Sequence, residues 1–278
     1  MAMLGNFLLQ LNINTPIKES NMLRLSNTVR FALAIAGFVL SATGAHADGL
    51  TDLKTALTRL QGQTPLKAVL EISRSSRQGE GKELEESVSK ATVTLEDGAR
   101  GLQVLYGKDL LARVEAEANA KEKDAKAKTP TLSAMGDIGA GELRPMILAA
   151  GTLARRMEKA VFKSEEVQAY AGKPARLLSF EFPLESLPEK DRKYIKKYEG
   201  SLAIWIAADG TPLASHSKDK VSGRAFVVIS FESNNDEQSV YSVVGQRLIT
   251  VRKEAKSSGS GAGEKGESHV TKTLTPQA

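Results

Sequence analysis

The chain has 278 residues, of which 41% are hydrophobic, 5% aromatic and 26% charged, with a formal charge of +5 and no cysteine. The absence of cysteine excludes disulfides, thiolate catalysis and Cys-based metal centres. The basic excess is small and dispersed, which argues against a nucleic-acid partner.

Residues 1–21 show no clean amphipathic period. A basic start followed by an apolar core is complete from Met22 onward, so 1–21 reads as an upstream extension, with the choice between Met1 and Met22 left open. Arg24 and Arg30 accompany the apolar run Phe31–Leu40, and Ala45-His46-Ala47 is a small-x-small cleavage site. These are the parts of a secretory signal over 22–47, cut after Ala47. The apolar run is far shorter than the roughly 20 residues a spanning helix needs. Cleavage removes three of the 38 basic and one of the 33 acidic residues, leaving a net charge of +3. The expectation is an exported, periplasmic chain that is soluble once cut, with one domain over 48–256.

Leu50, Leu53, Leu57 and Leu60 fall at helical spacing, with Asp48 or Thr51 able to cap the start and Pro65 blocking continuation. Leu66–Ser73 alternates as a strand. Ser89–Leu95 and Leu102–Tyr106 form a hairpin in which Asp97-Gly98 is expected to supply the left-handed turn. Residues 108–159 read as a helical insertion. Its first part is rich in Ala, Glu and Lys with little apolar surface, and Glu142–Lys159 is a docked helix with Pro145 in its first turn. Strands resume at Val161–Tyr170 and Ala175–Phe182 around an Ala-Gly-Lys-Pro connection, and Pro188–Glu199 reads as a short charged helix. Leu202–Ala207, Asp209-Gly210 and Leu213–Ser217 make a second hairpin. Arg224–Phe231 and Gln238–Arg252 follow, joined by the turn-prone Ser233–Asp236. Residues 257–278 read as a flexible Gly/Ser tail with a last edge strand at His269–Leu274. Strands that follow one another through turns favour an antiparallel meander, so the class is α+β: a curved antiparallel sheet, a half-open barrel, covered on one face by a few helices.

Several strands are apolar on both faces. Leu202, Ile204 and Ile206 oppose Ala203, Trp205 and Ala207; Ala225, Val227, Ile229 and Phe231 oppose Phe226 and Val228; Val240 and Val244 oppose Tyr241 and Val243. A sheet with one wet face alternates apolar and polar residues. The pattern therefore predicts that the second face is also sheltered, either by the sheet closing on its own side chains or by an apolar ligand in a cavity. Candidates to line such a cavity are Leu70, Ile72, Val93 and Leu95 on the early strands, with Phe180, Phe182, Trp205, Phe226, Val228 and Tyr241 on the later ones.

The leucine-striped helix Leu50–Leu60, the extended run Leu66–Ser73 and the later strand–turn–strand Leu202-Ala-Ile-Trp-Ile-Ala-Ala-Asp-Gly-Thr-Pro-Leu213 resemble, in element order, the periplasmic lipoprotein-carrier (LolA/LolB-like) superfamily. The resemblance implies an incomplete antiparallel barrel, a helical lid and a cavity for acyl chains. Lys108–Gly141 would be a large insertion in that family, and the low aromatic content departs from its aromatic linings. No individual ligand-contacting residue is matched.

Other chemical motifs fail on spacing. His216 lies in Ser215-His-Ser-Lys-Asp219, but on a strand both serines point away from it, and no nucleophile elbow is present. Two mature histidines make a poor metal site, and no cofactor motif keeps its required spacing. One basic cluster stands out: Arg192, Lys193, Lys196 and Lys197 interleave with Tyr194, Ile195 and Tyr198. On a helix these could rest on anionic headgroups or an acidic partner. The sequence thus points to a non-enzymatic exported protein that binds or carries an apolar ligand, a lipid or acylated protein, without metal or cofactor. The rival readings are an envelope interaction module without a cavity and, more remotely, a hydrolase using His216.

Overall fold

A computed structural model describes residues 48–81, 84–225 and 229–277. The signal segment, Phe226 and Val228 lie outside these residues. Ten antiparallel strands form one open sheet in the order β3-β2-β1-β10-β9-β8-β7-β6-β5-β4. They are β1 (Leu66–Gln78), β2 (Glu85–Gly98), β3 (Gly101–Leu105), β4 (Val161–Val167), β5 (Arg176–Phe182), β6 (Ile195–Ile206), β7 (Pro212–Ala225), β8 (Ile229–Val244), β9 (Arg247–Gly261) and β10 (Glu264–Pro276). The helices are α1 (Gly49–Arg59), α2 (Lys108–Lys123), α3 (Pro130–Met135), α4 (Ala140–Ile147), α5 (Ala149–Glu158) and α6 (Glu189–Arg192). No helix among the described residues is long and apolar enough to cross a membrane.

Helix α1 starts where expected. The Asp48 carboxylate accepts from the Leu50 amide at 3.1 Å and the Thr51 hydroxyl at 2.8 Å, which satisfies an orphan donor of the first turn. The leucine stripe of α1 and the stripe of α5 pack with β5, β6 and the start of β9: Leu53, Leu57, Leu153, Leu178, Ile204 and Leu248 are each at most 2% exposed. A second apolar cluster joins α2 to α4 with β1, β2, β9 and β10, around Leu70, Leu95, Leu143, Met146 and Leu274. The partners Leu70↔Val93 and Leu70↔Leu274, and Leu178↔Ile204, show that each cluster uses strand positions of one parity. Burying each such side chain is worth about 1.5–3 kcal/mol. Arg247, 3% exposed, reaches Asp97 of β2 at 2.5 Å and so ties two strands that are not sheet neighbours.

Several sequence expectations are corrected. The first hairpin turns at Ala99-Arg100, closed by Gly98↔Gly101, and the left-handed residue is Gly101 (φ 77°), not Gly98. The Asp209-Gly210 turn forms as expected, with Gly210 at φ 80°. The single helix expected over Glu142–Lys159 breaks at Leu148, which has non-helical φ −125° and ψ 50°. The helix expected over Pro188–Glu199 ends at Arg192, and the chain enters β6 at Ile195 because its backbone pairs with β7 from Ile195↔Gly223 onward. Ser233–Asp236 is not a turn but the interior of β8, flanked on both sides by β7 and β9. The Gly/Ser stretch Ser257–Gly261 is likewise the end of β9, and the final strand β10 is central, between β9 and β1. In each case neighbouring ladders satisfy backbone groups that side chains of this kind would not order alone.

Candidate functional site

The sheet face that carries Leu70, Leu95, Phe180 and Ile204 has two unlike ends. At the covered end stand Leu70 (0% exposed), Ile72 (3%), Val93 (3%), Leu95 (1%) and Phe180 (3%), all packed beneath helices or against the apolar strand residues around them. The space above these residues is filled by the protein's own side chains.

A belt of polar contacts crosses the same face next. From α5, Arg156 donates to Glu237 of β8 at 3.1 Å and to the Ser217 hydroxyl at 2.6 Å, and Lys253 of β9 reaches Glu237 at 2.8 Å. Burial would raise the Glu237 carboxyl, but the adjacent Lys253 and Arg156 cations overcome it and hold it at about 2. Tyr241 is half-buried, and its hydroxyl lies 2.6 Å from that of Ser215; burial pushes its phenol up to about 12. Lys272, 2% exposed, donates to the Asp137 carbonyl at 2.9 Å and to Glu142 at 2.8 Å, while Arg74 holds the Asp137 carboxylate at 3.0 Å. These contacts tie α5, α4 and the turn before α4 to strands β1, β7, β8 and β10.

Beyond the belt the face is open. A trough of about 920 Å³ is lined by β1, β5, β6, β7, β8, β9 and β10. Its floor follows from the pairing register. Ser87, Ser76, Ser268, Ser257, Asn235, Asp219, Gly200 and Phe182 are successive cross-strand partners, one per strand from β2 to β5. Period-2 alternation puts this row on the same face as Leu70 and Ile204. No residue of the row is buried. Ser76 and Ser87 share a 2.7 Å hydrogen bond, and Ser257 and Ser268 one of 2.8 Å. Tyr198 donates from its hydroxyl to Asp219 at 3.1 Å. Its ring lies against Gly200: a Cβ there would overlap the phenol and come within 2.9 Å of the Phe182 Cβ. Partial burial raises the Asp219 carboxyl against the lowering field of Arg156 and the bond from Tyr198.

Of the later candidates, Phe182 is half-buried and lines the trough. Trp205 is half-buried on the opposite side of β6 from Ile204 and Ile206, where it packs on Tyr170 (centroids 5.6 Å) and donates to Gln168 at 3.1 Å. The expectation that the second face is sheltered like the first is corrected here. Ala203, Trp205 and Val240 are only half-buried and Val243 is 40% exposed, while the large apolar residues of the first face are nearly all below 5%. Arg192 is half-buried at the end of α6, and Lys193 lies over the Tyr194 ring at 4.9 Å. Lys196 and Lys197 are exposed on β6, with Lys197 paired to Glu199 at 2.6 Å. These four cations thus straddle a helix end and a strand and do not share one helical face. His216 is half-buried and bonded to Asp236 at 2.8 Å, with Ser215 and Ser217 on the other face as the strand geometry requires. No cluster of three or more His, Asp or Glu suited to a metal occurs among the described residues.

Sequence reasoning missed the serine row, since its members sit in segments read as loop, turn and spacer. The one available signal was the recurrence of small polar residues at strand ends, which carries no hydrophobic period.

No family model matches the chain, and no curated protein does. Among solved structures, the chain is similar to a LolA superfamily protein from Nitrosomonas europaea at 9% identity and a TM-score of 0.29, over 83% of this chain and 94% of that one.

Proposed function

We propose that this protein is an exported, non-catalytic binding protein that holds an amphiphile on the helix-bearing face of its sheet. One observation carries the reading: a single face joins an apolar end, closed by helices, to a polar end left open as a trough of about 920 Å³. An apolar chain would replace α4 and α5 against residues such as Leu70, Phe180 and Ile204, and the polar part of the same ligand would lie in the trough. Among the described residues, side-chain contacts of the belt, chiefly Arg156–Glu237 and Lys272–Glu142, cross between the cover and the polar part of the sheet. Release of those contacts would open the apolar end. The basic start, apolar run and small-x-small site over 22–47 support an exported setting for this activity.

Native mass spectrometry of the purified chain, together with titration of a fluorescent fatty acid, tests the reading. The expected outcome is a co-purifying lipid or saturable fatty-acid binding that increases when Arg156→Ala loosens the cover. Absence of both lipid and fatty-acid binding in the wild type and the variant overturns it.

A further inference from the structure

We propose that an open step at the β2 margin of the sheet pairs with the same step of a second copy of this chain, giving a two-fold dimer centred on Val88. The residues involved, Glu86, Val88 and Lys90, do not line the trough, so the dimer does not depend on the ligand site.

The edge of the sheet is incomplete at this margin. Strand β3 pairs with β2 only from Thr94 to Gly98. From Glu85 to Val93, β2 has β1 on one side and no strand on the other. Among the described residues, no loop or helix gives that side a backbone hydrogen bond. Unmatched N–H and C=O groups along an extended strand are a template for another strand. The far margin is better guarded: β4 is interrupted by a register shift between Phe162 and Ser164 and exposes Lys163, Glu165 and Glu166.

The side chains of the step match themselves in reverse. The run Glu86-Ser87-Val88-Ser89-Lys90 reads alike in both directions, except that its two ends carry opposite charge. Antiparallel pairing about Val88 sets that residue against the partner's Val88. Ser87 then meets the partner's Ser89, and Glu86 meets the partner's Lys90. Directly opposed side chains stand about 4.5–5.5 Å apart at Cβ, within reach of an ion pair. Two ion pairs thus flank one apolar contact, on the sheet face opposite Leu70. A two-fold interface needs such a self-matching patch. Moving the axis to Ser87 or Ser89 would set Val88 against a charge and undo both ion pairs.

These side chains are available in the single chain. Val88 is 64% exposed, with only Ser75 opposite it on β1. Lys90 is exposed opposite Ser73 and has no ion-pair partner among the described residues. Glu86 meets Arg77 of β1 at 2.7 Å, and its carboxylate can accept a second donor from the open side. The length of the step also fits. Pairing about Val88 sets Glu85 against the partner's Ala91, and it ends before Thr94, where the partner's β3 occupies the same edge. Charge order and length together select a second copy over a foreign strand.

Sedimentation equilibrium of the purified chain from micromolar to millimolar concentration, at low and high salt, tests the proposal. A reversible monomer–dimer equilibrium is expected, weaker at high salt. Glu86→Lys and Lys90→Glu each bring like charges face to face across the axis and should weaken the dimer about tenfold or more. An equimolar mixture of the two variants should dimerise again, because each introduced charge then meets its opposite, and the double variant should do the same. Mere loss of folding cannot produce this rescue. Hydrogen exchange should slow over Glu85–Ala91 in the dimer and not on β4. A wild-type chain that stays monomeric throughout overturns the proposal, whatever else binds the step. So does a dimer that is indifferent to both single variants, one not restored by mixing them, or one that protects β4 instead.

Discussion

The two ends of the face that carries Leu70 and Ile204 share strands such as β1, β6 and β10, yet one is closed and the other open. Along β1 the side chains run Leu70, Ile72, Arg74, Ser76; along β6 they run Ile204, Leu202, Gly200; along β10 they run Leu274, Lys272, Val270, Ser268. Each run starts with large apolar side chains and ends on a serine or glycine. The backbone ladder is continuous across both ends, so pairing does not decide which end is covered. Apolar area does: the covered end gains by excluding water and the open end does not.

The largest expected effect follows from that difference. Ile204→Ala removes a fully buried side chain at the junction of α1, α5 and the sheet and should cost about 2–5 kcal/mol in denaturant unfolding. A loss below 1 kcal/mol would mean that the covered end is loosely filled already, in conflict with the packing described.

The belt between the two ends is next. Glu237→Gln leaves Arg156 and Lys253 without their carboxylate, at an expected cost of about 1–3 kcal/mol. The three side chains are 23–29% exposed, so solvent screens part of the attraction and the upper end of the range for buried pairs does not apply. The sign with pH is set by the depressed carboxyl. Its contribution is complete above the ordinary value of 4.5 and is lost as pH falls from there towards about 2. Wild-type stability should therefore drop through that acid window more steeply than that of E237Q; parallel profiles would show that the belt does not hold Glu237 ionised.

At the edge of the open end, Gly200→Ala should cost about 1–3 kcal/mol by forcing Tyr198 and Phe182 apart. The tyrosine's fluorescence or its ring NMR signals should change with it. An unperturbed Tyr198 would break the account of why glycine stands in the row.

The covered end was largely legible from the sequence, and the open end was not. Leucines at helical spacing in Leu50–Leu60 and alternation in Leu66–Ile72 announce their own burial, and both elements form as expected. Ser257–Gly261 and Ser233–Asp236 carry no such period; their composition favours turns, and they are strands because ladders on both sides claim their backbone groups. Arg192–Tyr198 shows the same conflict from the other side, since a helical spacing of tyrosines yields to pairing with β7. The apolar second face of β6 also misled: a tryptophan and two alanines can stay half-exposed when one ring is capped by Tyr170, so two-sided grease does not oblige a second layer. The trough is thus made of the residues whose local signals are weakest.

The smallest effect is the sharpest check on that view. If the serine row is a free surface and not part of the scaffold, Ser257→Val should change unfolding free energy by no more than about 0.5 kcal/mol. The variant gives up one 2.8 Å hydroxyl contact with Ser268, which water can replace because neither residue is buried, and it gains a β-branched side chain suited to a strand. A cost above 2 kcal/mol, within the range expected of Ile204→Ala, would place the row among the structural elements and remove the contrast between the ends. A near-neutral outcome leaves these hydroxyls, aligned across four strands, outside the folding scaffold and keeps the contrast between the closed and the open end.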